Sequence, residues 1–425
     1  MDNVDQTAPN VSASRWLIVA LLCSFSMISY LDRVAISIAG PRIISEFGIS
    51  ATAMGTVYSA FTLGYALFMI PGGQFTDRFG PWITLTVMGM GSALFTGLTG
   101  LGAQARIGAA VGIVTVLFAI RFGLGVATAP LYPACARATA NWIPRSFHGR
   151  VQGLVIAGSS FGAAIAPALF TTLGTDFPWR SVFVIAGIAT AAIALLWFWY
   201  ARDHPSSKRK VYKVRSGKSI SNWAALFRNR NLLLITYAYG TLGYFQYIFF
   251  YWIYYYFEHV LALPKAVSAR YTTFVFVIEG IIMPLGGLLS DRLTKSYGAQ
   301  FGRRIVPILG LSFGAALLYV GSHRVGFAAA VCLALACGLG ACCEGPFWAT
   351  VTDLEPEQVG GASSILNTGA QVGGLLAPVL TPFIAERFGW RSALYAGCLF
   401  AISGVFAVYG VKLPRDAQVA EAIMN

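Results

Sequence analysis

The chain has 425 residues, 56% of them hydrophobic, 14% aromatic and only 11% charged, less than half the roughly 25% charged content of an ordinary soluble domain. This excludes a soluble globular or disordered chain and predicts an all-α integral membrane protein: apolar stretches of about 18 or more residues recur throughout, without the period-two alternation of barrel strands. The net charge of +13 does not point to nucleic acid, because the cations sit in short loops between apolar runs and not on one binding face.

Twelve transmembrane helices are predicted, starting near Trp16, Ala53, Pro81, Ile107, Arg150, Trp179, Asn231, Val267, Ile305, Gly326, Gly360 and Arg391. They divide the chain into a tail (1–15), a six-helix bundle (16–201), a basic linker (202–230), a second six-helix bundle (231–411) and a tail (412–425). About twenty of the 30 Lys and Arg residues fall in loops on one side, and such an excess marks the cytoplasmic face. Both tails and the linker are therefore expected in the cytoplasm. The first apolar run is too long for a signal core and reads as a retained helix.

Helix one holds two unusual charges. "SYLDRVAISIAG" sets Asp32 beside Arg33 in an apolar run with no other charge between Arg15 and Arg42. A charge in mid-bilayer costs about 2.5 to 3.5 kcal/mol on insertion scales, so such residues are functional candidates by default. Neighbours on a helix point about 100° apart; Arg33 is assigned to a central cavity and Asp32 to a pairing face. Helix two closes with "GGQFTDRFG", in which Gly73, Asp77, Arg78 and Gly80 follow the pattern GxxxDRxG. Gly73 would allow close helix approach, and Asp77 can accept from free amides at the start of a facing helix, giving a latch between halves.

Helix four carries Arg121, about 21 Å from the outer face, while Asp32 lies about 24 Å from the cytoplasmic one. The two are expected to pair, and movement of one against the other would take up or release a proton. A static pair would leave Arg33 unexplained. Its permanently charged, bidentate guanidinium suits a carboxylate ligand.

In the linker, "GKS" at residues 217–219 mimics a phosphate-binding loop, but Tyr212 stands where its first glycine belongs and no strand precedes it, so no nucleotide is expected. Helix seven, "YAYGTLGYFQYIFFYWIYYYFEHVL", is crowded with aromatics; Tyr244, Gln246 and Tyr247 are its candidates to face the cavity. Glu279 in helix eight and Glu344 in helix ten are the remaining deep acids. The seven cysteines show no disulfide framework. His148, His204, His259 and His323 stand singly, so neither a metal site nor an enzyme active centre is expected.

The halves repeat one another. "IPGGQFTDR" is echoed by "PLGGLLSDR", with Gly287, Asp291 and Arg292 as the second copy, and "GSSFGAAIAPAL" by "GAQVGGLLAPVL", each followed by a Phe-x-Trp-Arg-Ser. Two parallel six-helix repeats and the GxxxDRxG loop resemble the major facilitator superfamily, which implies alternating access, with helix eleven as the partner of the Asp77 latch. More narrowly, "SYLDRVAISIAG", "SAFTLGYALFMIPGG", "RFGLGVATAPLYPA" and "EGPFWATVTDLEP" resemble the anion:cation symporter family, whose bacterial members import sugar acids and other carboxylates with protons.

That resemblance implies a substrate site lined by Tyr30, Arg33, Tyr65 and Asn367 and a proton relay of Asp32 and Arg121. It also implies a monomer in the bacterial inner membrane, with membrane lipid around it, the proton as coupling ion and no cofactor. Family members often carry a glutamate in helix four where this chain has Thr128; Glu344 is expected to replace it, with Glu279 in reserve. An exchanger or exporter of the same fold, or a non-transporting sensor, are the alternatives. The drug-antiporter glycine-proline signature is missing, since Gly162 is followed by Ala163.

Overall fold

A chain surrounded by lipid must satisfy its backbone N–H and C=O groups within itself, and a helix does so segment by segment. The computed structural model describes residues 13–102, 112–143, 148–202, 223–355 and 359–413, and every regular element in them is helical. The first bundle comprises α1 (Ala13–Phe47), α2 (Ala51–Thr76), α3 (Arg78–Leu101), α4 (Ile113–Trp142), α5 (His148–Asp176) and α6 (Trp179–Tyr200). The second comprises α7 (Arg230–Tyr255), α8 (Lys265–Tyr297), α9 (Ala299–Ser322), α10 (Gly326–Leu354), α11 (Val359–Phe388) and α12 (Trp390–Gly410).

Eleven of these are long and apolar enough to cross a membrane. The other, α7, has 26 residues, about 39 Å at 1.5 Å per residue; tyrosines in place of aliphatic side chains lower its hydropathy. The expected start of helix four, near Ile107, lies outside the described residues; the others fall close to the observed starts except at α9. That helix begins at Ala299 instead of near Ile305, because its first turns carry Arg303 and Arg304, whose charges are satisfied by pairing and capping instead of lying in lipid.

The sequence repeats have a packing cause. In α5, Cβ atoms added at Gly158 and Gly162 would lie 2.8 and 2.0 Å from the carbonyl oxygens of Cys23 and Met27 in α1. In α11, Cβ atoms at Gly369 and Gly373 would lie 2.3 and 2.0 Å from those of Thr236 and Gly240 in α7. The contacted residues are offset equally along α1 and α7, so the repeated glycine pairs make the same small-residue crossing in both halves. By the same offset Gln246 is the counterpart of Arg33.

The turn glycine also recurs. Gly80 (φ 80°, ψ 165°) breaks the helix just inside the start of α3 and Gly298 (φ 84°, ψ 160°) separates α8 from α9; this is left-handed backbone that glycine adopts without a Cβ penalty. In the second half the turn falls well after Arg292, since α8 continues to Tyr297.

The bundles meet along a seam. At the end holding the α1–α2 turn, the distal end, contacts across it are dense. Glu386 at the end of α11 accepts from the Thr52 amide and hydroxyl, both at 2.8 Å, and so caps the start of α2. Ser59 donates to the Leu375 carbonyl at 2.7 Å, and Thr273 of α8 donates to Ala164 of α5 at 2.9 Å. Tyr58 of α2 stacks on Tyr251 of α7, ring centroids 5.1 Å apart.

Gly55 is the closest point: a Cβ there would sit 2.0 Å from the Pro378 carbonyl oxygen. Gly55→Ala is therefore expected to hold α2 off α11. Overpacking of this kind costs about 1–3 kcal/mol, so disulfide formation between cysteines placed at 52 and 386 should slow about tenfold or more relative to the glycine parent. Unchanged cross-linking would show that the seam has slack here.

Candidate functional site

Arg33 lies where the seam narrows, 8% exposed. Its Nε donates to the Tyr251 hydroxyl at 3.5 Å and its terminal nitrogen to the Tyr247 hydroxyl. The guanidinium carbon stands 5.4, 4.9 and 4.9 Å from the ring centres of Tyr30, Phe61 and Tyr247. Each such contact is worth from about 0.5 to about 2 kcal/mol as desolvation increases, so α1, α2 and α7 hold the cation without neutralising it. Among the described residues, no carboxylate lies within ion-pair distance of it.

Arg121 of α4 is fully buried and donates to the main-chain carbonyls of Asp32 at 3.1 Å and Arg33 at 2.9 Å. The expected ion pair with the Asp32 carboxylate is not formed. The reason is geometric: the guanidinium is long enough to reach past the side chain to the helix backbone, while the Asp32 side chain turns into its own bundle. There Oδ2 accepts from Thr190 of α6 at 2.9 Å, and Oδ1 has no partner. The Thr96 hydroxyl of α3 stands near the carboxylate without closing a hydrogen bond. Arg121 thus fixes the turn of α1 from which Asp32 and Arg33 diverge.

Burial differs on the two sides of Arg33. Toward the distal end Val34, Ser37, Tyr58, Tyr251 and Trp252 are buried. Toward the opposite end, where the linker joins the bundles, Tyr30, Tyr65, Tyr132, Asn367 and Glu344 are partly exposed and Trp348 is exposed. The seam is closed at the distal end and open toward the linker end. Tyr65 stacks on Phe61 and Asn367 contacts the Met69 sulfur at 3.1 Å across the seam. Gln246 is buried in α7 beside Tyr247, and Tyr244 packs inside the second bundle on Phe400 and Thr381.

Of the two glutamates, Glu279 is enclosed next to Cys337. Glu344 stands where α10 breaks between Ala341 and Glu344, and its Oε2 accepts from the Tyr239 hydroxyl at 2.5 Å. Trp348 Nε1 donates to the same phenol at 3.0 Å. Glu344 lies in the neighbourhood of the Tyr30 and Tyr247 phenols.

At the linker end the two loop signatures differ. Arg303 bridges Asp291 at 2.5 Å and Asp353 at 2.9 Å, tying α8, α9 and α10 together. In the first copy a Cβ added at Gly73 would meet nothing within 4 Å among the described residues, and the close approach falls one residue earlier, where a Cβ at Gly72 would lie 3.1 Å from Pro130 of α4; Arg78 is exposed, its guanidinium over Phe79. Arg292 is likewise exposed. The side chains of Asp77 and of residues 359–361, where the latch onto α11 is expected, lie outside what the structure describes. Phe61, Tyr251, Thr190, Tyr239, Arg303 and Glu386 take part in these contacts although no sequence motif singles them out.

A family model described as the Major Facilitator Superfamily matches residues 22–355 and 300–423. The chain is 27% identical to "Probable sulfoacetate transporter SauU" of Cupriavidus necator, covering 93% of this chain and 94% of that one. It is also 27% identical to "Hexuronate transporter" of Bacillus subtilis, covering 92% of each. Among solved structures, a bacterial homologue of the human lysosomal transporter Spinster, inward-facing and unoccupied, superposes with a TM-score of 0.79 at 16% identity, over 94% of this chain and 98% of that one. Repeated six-helix bundles, paired loop signatures and the match along nearly the whole chain agree: this protein belongs to the major facilitator superfamily and is a transporter, not an enzyme.

Proposed function

We propose that the chain is a proton-coupled symporter of a small organic anion, a sugar acid or another short carboxylate, working by alternating access. The observation that carries this reading is a guanidinium at the seam, caged by phenols and with no acidic partner among the described residues, on the same helical turn as a buried carboxylate that faces away from it. An anion entering the seam meets the one and a proton the other. The names of the relatives, a sulfoacetate and a hexuronate transporter, support an anionic substrate.

With the linker end in the cytoplasm, the closed distal seam and open linker side correspond to an inward-facing state. In the proposed cycle the relay acid Asp32 is protonated from outside, the anion docks on Arg33, and the halves rock about the contacts of α1 with α7 and α2 with α11. Both ligands then leave on the cytoplasmic side. Glu386 capping α2 holds the outer seam shut, and the Asp77 latch onto α11 would hold the inner one when the halves reverse. Direction comes from the proton gradient, so the anion need not favour either state.

Uptake into proteoliposomes under an imposed inward proton gradient, with a panel of sugar acids, sulfoacetate, aromatic acids and dicarboxylates, tests the proposal. Saturable, gradient-stimulated uptake of at least one organic anion and none of neutral sugars is expected. Gradient-independent exchange alone would point to an exchanger, and binding without flux to a sensor.

A further inference from the structure

Across the seam from the Arg33 cage, the second bundle presents a wall of opposite character. Trp348 donates to the Tyr239 phenol and that phenol donates to Glu344, at 3.0 and 2.5 Å; a donor chain of this kind polarises each member and fixes the carboxylate in place. Among the described residues no cation pairs with Glu344, and Glu279 behind it adds a second acid close enough to interact. Arg121, the other cation deep in the bundles, directs its terminal nitrogens to the carbonyls of Asp32 and Arg33. Among the described residues the seam therefore offers one cation at one pole and a fixed acceptor at the other, with the hydroxyls of Ser26 and Tyr132, 3.4 Å apart, on the first bundle's side.

We propose that Glu344, held by Tyr239 on the wall across from Arg33, selects anions with a single negative group and a hydroxylated tail and turns away those with a second negative group. This rests on the reading of Arg33 as the anion anchor. A hydroxyl reaching Glu344 finds an acceptor; a second carboxylate or a sulfonate finds a like charge and no cation to offset it. Discrimination by such a repulsive element is a common route to specificity. The two relatives' names fall on either side of this division, since sulfoacetate carries two anionic groups and a hexuronate one.

The test uses the reconstituted full-length chain and competition against labelled gluconate and glucuronate, each a monoanion, by unlabelled glucarate, the dianion of the same carbon length, and by its monomethyl ester. The proposal expects glucarate to compete at least about tenfold less well than either monoanion, a gap of about 1.4 kcal/mol, and the ester to recover most of that loss. In Glu344→Gln the gap should close about tenfold, with gluconate itself binding somewhat less well. Glucarate competing as well as the monoanions overturns the proposal, as does an ester no better than glucarate; neither outcome depends on a variant that folds. An unchanged ratio in folded Glu344→Gln also overturns it. If neither monoanion binds while sulfoacetate does, the inference fails and the anion reading stands; if no anion binds, both fail.

Discussion

Arg33→Ala is expected to abolish saturable anion binding. The guanidinium can give a carboxylate two charge-assisted hydrogen bonds, each worth about 1.5–3 kcal/mol. Their loss corresponds to a weakening on the order of a hundredfold to ten-thousandfold. Isothermal titration or ligand protection from heat unfolding reads this directly. The fold should persist, because Arg33 contributes contacts to aromatic rings and phenols but no ion pair, and Arg121 holds the α1 turn through main-chain carbonyls that the substitution leaves in place. Arg33→Lys should rescue little, since an ammonium cannot supply the planar fork. Undiminished binding in the alanine variant would remove Arg33 from the substrate site.

Asp32→Asn is expected to separate exchange from accumulation. The amide oxygen can still accept from Thr190, which now bonds Oδ2 at 2.9 Å, so helix packing between α1 and α6 is retained. What disappears is the ability to gain and lose a proton on the helical turn that also carries the anion anchor. Counterflow exchange of substrate should continue, while accumulation driven by a proton gradient should fall to the level seen without one. Accumulation surviving in the asparagine variant would refute Asp32 as the relay.

Much of this architecture is legible in the sequence. Apolar runs mark the helices because lipid enforces backbone self-satisfaction, and the two "Gly-x-x-x-Gly" copies are visible because backbone carbonyls of α1 and α7 leave room for nothing larger than hydrogen. The charges of helix one are conspicuous because burial makes them costly. Their contacts are less legible. The separation of Arg33 from Asp32 follows from helical geometry, but the contact of Arg121 with carbonyls in place of the carboxylate depends on side-chain reach and on Thr190 being available from α6. Phe61 and Tyr251 carry no signal, since aromatics in a membrane helix have an ordinary packing explanation. Glu386 reads as a loop acid until tertiary structure sets it against the start of α2, and Arg303 looks like a positive-inside charge until two aspartates close on it.

The linking of anion to proton movement is tested most directly by measuring both fluxes in one sealed proteoliposome preparation of the wild-type chain. An inward proton gradient should drive the anion above its equilibrium concentration inside, and an anion gradient imposed without a pH difference should carry protons inward, reported by an enclosed pH dye. Anion entry that merely equilibrates, with no dye response in either direction, would contradict the account.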